Sequence, residues 1–259
     1  MNGDNGDEDI DIDNATTIVD LFGRHGITYK IYQEDYPTSG QCFLGSYHGT
    51  KRRQGLYRRK HNPFISFKSY TNSQWHCSSQ RDFHDLHYNI ETGSLPRFSY
   101  VVPNQVHDGH SSSVKRAGHW YAKFVGELLQ SRLFATSRVL VHTVFDEDES
   151  AYIYYYNYDV NDLGEPNPYF NASCMYTYYS PPNACAPAGC TDVLNCTLDK
   201  TNNNVYSILF GSAVPQSLVN TTDDTYYTHS SIVATLEANW DLGSLGREDL
   251  TSNVFNISI

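Results

Sequence analysis

FSYVVPNQVHDGH, residues 98–110, begins as a short apolar strand, Phe98–Val102, and continues as a polar loop. After the loop, apolar residues recur at helical spacing over residues 112–130, which predicts an amphipathic helix. A second apolar run at 138–145 then predicts a buried strand, with Asp146 at its carboxyl end. The order strand, helix, strand, with carboxylates at the end of a strand, predicts a parallel crossover of an α/β fold.

The same alternation continues on both sides of this unit. Residues 14–24 predict a short helix that is capped by Asn or Thr and followed by Gly26, and residues 27–32 predict a strand. Residues 205–211 predict a buried strand, and residues 230–240 predict the last helix. Helices and strands therefore alternate through most of the chain.

Composition and charge narrow the class of protein. The chain has 259 residues, is 39% hydrophobic and carries a net charge of -11, with a pI near 5.3. This length supports one sizeable core. The acidic balance argues against nucleic acid and anionic membranes as main partners, and no apolar run reaches the ~20 residues that cross a bilayer. Residues 1–13 concentrate negative charge and are predicted to be a solvated, disordered tail.

Residues 151–204 differ from the rest and are interpreted as an insertion. They contain nine of the 21 tyrosines, four of the six cysteines and five prolines, without a helical or strand period. Disulfides are the expected source of order there. A metal site is less favoured because paired Cys-x-x-Cys units are lacking. Cys42 and Cys77 lie outside this segment and could pair with each other, although six cysteines allow 15 pairings.

Glycosylation signals point to the outside of the cell. Sequons begin at Asn14, Asn171, Asn195, Asn220 and Asn256. Together with the even number of cysteines, they predict an extracellular or cell-surface protein. The N-terminus does not have the pattern of a signal peptide, and we expect that the natural start of the protein is missing from this sequence.

The candidate metal-binding and catalytic residues lie in three segments. Asp108 and His110 are two apart, so in an extended segment both would project to one side and could hold one metal ion or phosphate. Asp146 and Glu147 end the strand predicted at 138–145, where the backbone can turn both inward. His229 precedes a helix N-terminus, which favours an anion. Two imidazoles and three carboxylates are typical of a site that holds one or two divalent ions for hydrolysis.

Each of these residues also has an ordinary structural explanation. His110 could be a turn residue bonded to backbone, His229 a helix cap, and residues 146–149 a solvated acidic loop. His61, His107, His119 and His142 are weaker candidates taken alone. Residues 57–61 are basic and could steer an anionic substrate, but an exposed, solvated loop is the simpler interpretation.

Several motifs resemble, in family order, those of the fungal secreted acid phosphatases. That family belongs to a phosphoesterase group that also includes bacterial phospholipases C, within the alkaline-phosphatase-like superfamily. The motifs are GLYRRKHNPF (55–64), VPN with DGH (102–110), FDE (145–147), GSAVP (211–215), and THSSI, EANW and LGR (228–247). The likeness extends from about residue 16 to 255. It implies a three-layer α/β sandwich with a mostly parallel central sheet, incomplete at its N-terminus.

The resemblance also implies a function and two groups of site residues. The function is metal-dependent hydrolysis of a small phosphate monoester outside the cell. The implied metal ligands are Asp108, Asp146 and Glu147, and the implied catalytic histidines are His61, His110 and His229. Imidazole together with carboxylate suits zinc, iron and manganese alike, so the divalent metal is not identified by these residues.

The resemblance is incomplete in one respect. Family members carry a Glu-Asn metal-binding segment and a Ser or Thr nucleophile, and these 259 residues contain neither. Residues 16–20 match a family region downstream of both, so residues 14–259 are interpreted as the C-terminal portion of one phosphoesterase domain, with impaired activity. Two alternatives stay open: a catalytically inactive glycosylated binding or surface protein, and a phosphodiesterase of the phospholipase C type.

Overall fold

The structure of the chain is a computed structural model that describes residues 9–13, 15–46, 56–146, 153–155, 176–178 and 205–257. Two compact units are distinguished. The first comprises Met1–Leu140 and Phe210–Ile259, and the second comprises Val141–Leu209. Each unit is described by itself.

The first unit contains a parallel sheet of three strands in the order β2-β1-β3. Its strands are β1, Tyr29–Gln33; β2, Gln80–Arg81; and β3, Phe98–Val102. Both neighbours pair with β1 in parallel, so that Ile31 lies opposite Gln80 on one side and Tyr100 on the other. The strands predicted at 27–32 and 98–102 are therefore confirmed, and so is the α/β fold class with a parallel sheet.

Seven α-helices are described, and the sequence predicted three of them. The α-helices are α1, Ile18–Arg24; α2, Lys68–Thr71; α3, Gln74–Cys77; α4, Phe83–Thr92; α5, Val114–Gln130; α6, Arg132–Thr136; and α7, Ser230–Trp240. Short 3-10 helices span Arg59–His61, Pro63–Ser66, Gln216–Leu218 and Glu248–Leu250. The helices predicted at 112–130 and 230–240 are confirmed. Among the described residues, every helix falls short of the length and apolar character that a bilayer crossing requires.

Helix α1 begins four residues later than the predicted range of 14–24. Thr17 is its N-cap, and the Oδ2 atom of Asp20 accepts hydrogen bonds from the backbone N of Thr17 at 2.7 Å and from its Oγ1 at 2.8 Å. These bonds satisfy donors that a helix start otherwise leaves unpaired. Gly26, at φ +66°, follows the helix as predicted.

The core of the first unit lies between α1, β1 and α7. Phe22 is fully buried and packs on Phe98 of β3, with ring centroids 5.0 Å apart, and on Trp240 of α7 at 5.3 Å. The buried cluster consists of Ile18, Val19, Leu21, Phe22, Ile27, Tyr29, Ile31, Phe64, Ile65, Tyr70 and Leu242. Burial of each large apolar side chain contributes roughly 1.5–3 kcal/mol, and the cluster fixes α1 and α7 relative to the sheet.

Cys42 and Cys77 form a disulfide bond, with Cα atoms 4.8 Å apart. This is one of the pairings that the sequence left open. The bond attaches the segment that follows β1 to the end of α3, across a sequence separation of 35. The four cysteines of the predicted insertion lie outside the described residues.

The described residues 9–13 and the side chain of Arg59 are less solvated than the sequence predicted. Ile12 forms a parallel bridge with Phe67, and its backbone N donates to Ser66 O at 2.7 Å. Arg59 is buried rather than solvated: its guanidinium donates to Ile10 O at 3.2 Å and to the Asp11 carboxylate. The described acidic residues at 9–13 are therefore attached to the protein body, because a buried guanidinium requires acceptors and opposite charge.

The second unit is described only in part. Strand β4, Val141–Val144, pairs with β7, Ser207–Phe210, and β5, Ile153–Tyr155, pairs antiparallel with β6, Tyr176–Tyr178. The predicted strands near 138–145 and 205–211 exist, but they are half-exposed, and β4 pairs with β7 instead of joining β3 in a crossover. The order of elements along a chain does not determine which strand edge each one meets. Most of residues 151–204 lies outside the described residues.

Candidate functional site

The carboxyl ends of β1 and β3 lie at the same edge of the parallel sheet, where α/β proteins bind ligands. Here the backbone N of Glu34 donates to Val102 O at 3.0 Å, and Glu34 Oε2 accepts the backbone N of Asn104 at 3.0 Å. Asn104 is buried, and its Nδ2 donates to Asp35 Oδ2 at 2.6 Å. The loop that follows β3 is thus bonded directly to the two carboxylates that follow β1.

His107 connects this loop to a helix. Its Nδ1 lies 2.8 Å from Glu34 Oε2, and its ring stacks on Trp120 of α5 with centroids 5.5 Å apart and an interplanar angle of 12°. Trp120 stacks in turn on Phe124, one turn further along the same helix. The imidazole is therefore held in one orientation by a carboxylate on one side and an aromatic face on the other.

Asp108 and His110 form a tight turn, which is the second of the two conformations considered for this segment. Asp108 Oδ1 accepts the backbone N of His110 at 2.9 Å and that of Ser111 at 3.0 Å, and Gly109 has φ +92°. A short Asp side chain readily bonds to backbone two residues on, and Gly permits the left-handed conformation. The second oxygen, Oδ2, contacts Ser111 Oγ at 3.4 Å. One carboxylate oxygen thus holds the turn, and the other accepts a hydrogen bond from Ser111 Oγ. A carboxylate and the exposed imidazole of His110 are both ligand types that divalent metals accept.

The other predicted histidines lie on separate elements of the first unit. His61 is the last residue of a 3-10 helix and is half-buried, directly before the fully buried Asn62. His229 is exposed and occupies the N-cap position of α7, as predicted from the sequence. Asp108 and His110 are the predicted site residues that the structure places within one turn.

The predicted carboxylate pair belongs to the second unit. Asp146 follows the end of β4 and is exposed, and Glu147 lies outside the described residues. Their assignment as metal ligands stays a prediction.

An open cleft of about 890 Å³ lies beside the loop after β3. Its polar lining combines imidazoles and carboxylates with two cationic side chains: Glu34, Asp35, Asp82, His84, His87, His107, Arg116, His119, Lys123 and Glu127. Tyr36 also lines the cleft, where burial raises its pKa to about 12 and keeps the phenol neutral. Imidazoles, cations and carboxylates in one cleft can bind an anion, a metal ion or both.

Asp82, His84 and Asp85 at the start of α4 offer ligand atoms that all lie within 4.8 Å of one another. Two of these groups already have structural partners. Asp82 Oδ1 caps α4 by accepting the backbone N of Asp85 at 3.0 Å, and Asp85 Oδ2 accepts a hydrogen bond from Ser39 Oγ. The carboxylates therefore already stabilise the helix start and the neighbouring loop.

Sequence reasoning missed the residues that organise this edge, namely Glu34, Asp35 and Asn104, and it ranked His107 low. A signal for the carboxylates was present, because Glu34 and Asp35 lie within three residues of the end of a predicted strand, much as Asp146 does. The signal for Asn104 and His107 was weaker, since a loop amide and a loop imidazole have many ordinary roles.

Of the predicted glycosylation sites, Asn220 and Asn256 are described and exposed. Asn220 has φ +60°, in the left-handed region that Asn tolerates in turns. Asn14, Asn171 and Asn195 lie outside the described residues.

Comparison with known proteins identifies the family of the chain. Residues 2–243 match the phosphoesterase family. The chain is 31% identical over 245 residues to a probable acid phosphatase of Kluyveromyces lactis, 32% over 247 residues to a phosphate-repressible acid phosphatase of Penicillium chrysogenum, and 30% over 243 residues to an acid phosphatase of Aspergillus niger. Each alignment covers 94% of this chain and 46–47% of the relative. The chain thus spans about half the length of the curated relatives it matches.

The family match covers nearly the whole chain, and several relatives share about 30% identity with it. Together with the parallel α/β sheet, they show that the chain belongs to the phosphoesterase family.

Proposed function

We propose that the protein hydrolyses phosphate monoesters with the help of a divalent metal ion, and that the turn at Asp108 and His110 forms part of the site. The observation that carries this proposal is the position of that turn, at the carboxyl edge of the parallel sheet in a chain of the phosphoesterase family. The three relatives described above are named as acid phosphatases. Their names favour a phosphate monoester over a phospholipid as the substrate of this protein.

The residues of the turn have distinct tasks in this proposal. The Oδ2 atom of Asp108 binds the metal, since Oδ1 already accepts two backbone hydrogen bonds. The exposed imidazole of His110 binds the metal or donates a proton to the leaving group. When bound, a divalent ion polarises the phosphoryl oxygens and favours the deprotonated form of a hydroxyl nucleophile.

His61 and His229 are proposed to bind the phosphoryl group. His61 lies in a segment that Asn62 anchors in the core, so its backbone position is fixed. His229 stands at the N-terminus of an 11-residue helix, where the dipole favours negative charge. Asp146 and Glu147 are proposed as further metal ligands on the grounds of the family motif alone.

An extracellular location is part of the proposal. The Cys42–Cys77 disulfide supports an oxidising compartment, and the exposed sequons at Asn220 and Asn256 are accessible to glycosylation. The cell exterior is also where a secreted phosphatase would meet small phosphate esters.

We also propose that these 259 residues hydrolyse phosphate monoesters poorly, because they lack the family's Glu-Asn segment and hydroxyl nucleophile. We expect the chain to bind Mn²⁺ but to hydrolyse p-nitrophenyl phosphate negligibly between pH 4 and 9, with or without added metal. Calorimetric titration with Mn²⁺ tests the binding, with Asp108→Asn expected to weaken it at least about tenfold. Asp241→Asn is the matched control, since Asp241 is an exposed aspartate in a turn after α7.

Three outcomes separate the alternatives. Metal-dependent turnover that Asp146→Ala abolishes would contradict the proposed impairment but support the phosphatase. Absence of Mn²⁺ binding would favour an inactive binding protein. Preferential cleavage of a choline-headgroup or inositol-headgroup lipid would favour a phospholipase C.

A further inference from the structure

We propose that Glu34 and Asp35 are positioning residues: they fix the loop 103–111 and thereby set the metal affinity of Asp108 and His110. This inference rests on the proposed function, since it assumes that the turn at Asp108 binds metal. It assigns a role to two carboxylates that match none of the motifs by which the chain resembles its family.

Glu34 binds the loop at two points. Its Oε2 accepts the backbone N of Asn104 at 3.0 Å, and both carboxylate oxygens contact His107 Nδ1, at 2.8 and 3.0 Å. The Glu34 side chain is only 16% exposed, so these bonds are partly shielded from water. Hydrogen bonds to a charged acceptor are stronger than bonds between neutral groups.

Asp35 supports the same loop through Asn104. Asp35 adopts φ +58°, which directs its carboxylate to the Nδ2 atom of Asn104 at 2.6 Å. The Oδ1 atom of Asn104 in turn accepts the backbone N of Val106 at 2.8 Å. The amide of Asn104 is thus oriented by Asp35, and it orients the backbone two residues further on.

The far side of the loop is held as well. Ser112 Oγ donates to Val106 O at 2.5 Å, and the ring of His107 stacks on Trp120. Asp108 follows His107 directly, so one peptide unit separates the residue that Glu34 orients from the residue that is proposed to bind metal. A displacement of the His107 backbone is therefore passed directly to the Asp108 turn, and Glu34 and Trp120 oppose it by holding the His107 side chain.

Groups that orient metal ligands typically change metal affinity by 10–100-fold when they are removed. Glu34→Met keeps the length of the side chain and removes both acceptors, whereas Glu34→Gln keeps one acceptor. Asp35→Ala removes the acceptor and disfavours φ +58°, whereas Asp35→Asn keeps an acceptor and tolerates that φ. The conservative variant in each pair should rescue the loss.

The experiment measures three quantities on the whole 259-residue chain: Mn²⁺ affinity by calorimetry, amide hydrogen exchange of residues 104–111, and Tm. Glu91→Met and Asp241→Ala are matched controls, because Glu91 is exposed on α4 and Asp241 is an exposed left-handed aspartate at φ +50°. We expect Glu34→Met and Asp35→Ala to weaken Mn²⁺ binding at least about tenfold and to accelerate exchange in the loop. Glu34→Gln, Asp35→Asn and both controls should remain within about threefold of wild type, below the tenfold loss expected for a group that orients a ligand.

Wild-type Mn²⁺ affinity in Glu34→Met and Asp35→Ala would overturn this inference alone and leave the proposed metal site in place. Equal loss of Mn²⁺ affinity in the two control variants would also overturn this inference, because the loss would then not be specific to Glu34 and Asp35. Absence of Mn²⁺ binding by the wild-type chain would overturn the proposed function and this inference together.

Discussion

Asn62 and Gln80 are joined by a hydrogen bond from Asn62 Nδ2 to Gln80 Oε1 at 2.9 Å, and neither side chain is exposed to solvent. Gln80 Nε2 donates onward to the hydroxyl of Tyr70 at 3.0 Å. We expect Asn62→Ala to lower the free energy of unfolding by about 1–3 kcal/mol, because it leaves Gln80 Oε1 buried without a donor. Urea unfolding measures this change. Asn72→Ala, at an exposed helix end, is the control, and an equal loss there would contradict the explanation.

Arg59 attaches the start of the described chain to the body of the first unit. Lysine at this position keeps the charge but cannot reproduce the bonds of the guanidinium to Ile10 O, Leu44 O and the Asp11 carboxylate. Arg59→Lys should therefore accelerate amide exchange at Ile12, whose N–H bonds to Ser66 O, by about tenfold for each 1.4 kcal/mol lost. The neighbouring Arg58→Lys is the control, and unchanged exchange in Arg59→Lys would show that the backbone bridge is sufficient by itself.

His76 makes the stability of the first unit dependent on pH. It is buried between Tyr29 Oη, 2.6 Å from Nδ1, and Asp20 Oδ1, 3.1 Å from Nε2. Burial lowers the pKa of His76 below its ordinary value of 6.5, although Asp20 acts in the opposite direction. The unfolded chain therefore binds more protons than the folded chain below about pH 6.5, and stability is lost as the pH falls from there through the pKa of the folded state.

The variant His76→Gln tests this pH dependence. Its Tm should change less between pH 7.5 and 5 than that of the wild type, because the variant lacks the imidazole whose pKa burial lowers. His25→Gln, at an exposed position after α1, should retain the wild-type dependence. Parallel Tm curves for His76→Gln and wild type would assign the acid sensitivity to other groups.

The Cys42–Cys77 bond closes a loop with a sequence separation of 35. Loop-closure entropy predicts that the double variant Cys42→Ser, Cys77→Ser loses about 3–4 kcal/mol of stability. Chemical denaturation measures the loss, and mass spectrometry of unreduced peptides checks the pairing in the wild type. A linked peptide pair of any other composition would contradict the assignment.

The sequon at Asn220 is best tested at its hydroxyl residue. Asn220 has φ +60°, so replacing it would disturb the turn as well as the acceptor. Thr222→Ala removes the signal and leaves Asn220 in place. In protein secreted from a eukaryotic host, it should abolish the glycan at Asn220, as seen by peptide mass spectrometry, and leave Tm within about 1–2 °C, as for a surface substitution. An unglycosylated Asn220 in the wild type would contradict the prediction.

Local periodicity determined much of the fold in advance. Helices α5 and α7 were predicted nearly to their ends, because an amphipathic pattern and a capping residue act within a few residues of each other. The pairing of β4 with β7 was not predicted, since it joins segments that are far apart in sequence. The burial of Arg59 was missed for the same reason: its partners at residues 9–11 and 44 come from other parts of the chain.

The candidate site, like the fold, was predicted only in part from the sequence. A carboxylate after a strand was the reason for proposing Asp146, whose role stays a prediction, and the same reasoning would have pointed to Glu34 and Asp35. The bonds of Asp108 Oδ1 to the backbone of His110 and Ser111 agree with the alternative in which His110 is a turn residue bonded to backbone. The sequence did not decide between this turn and an extended segment.

The packing of Phe22 on Trp240 has a consequence for biosynthesis. Trp240 is made more than two hundred residues after Phe22, with the whole second unit in between. Until α7 leaves the ribosome, the apolar side of α1 that α7 covers has no partner. The nascent first unit then exposes apolar surface that promotes aggregation. The core of the first unit is therefore completed only late in synthesis.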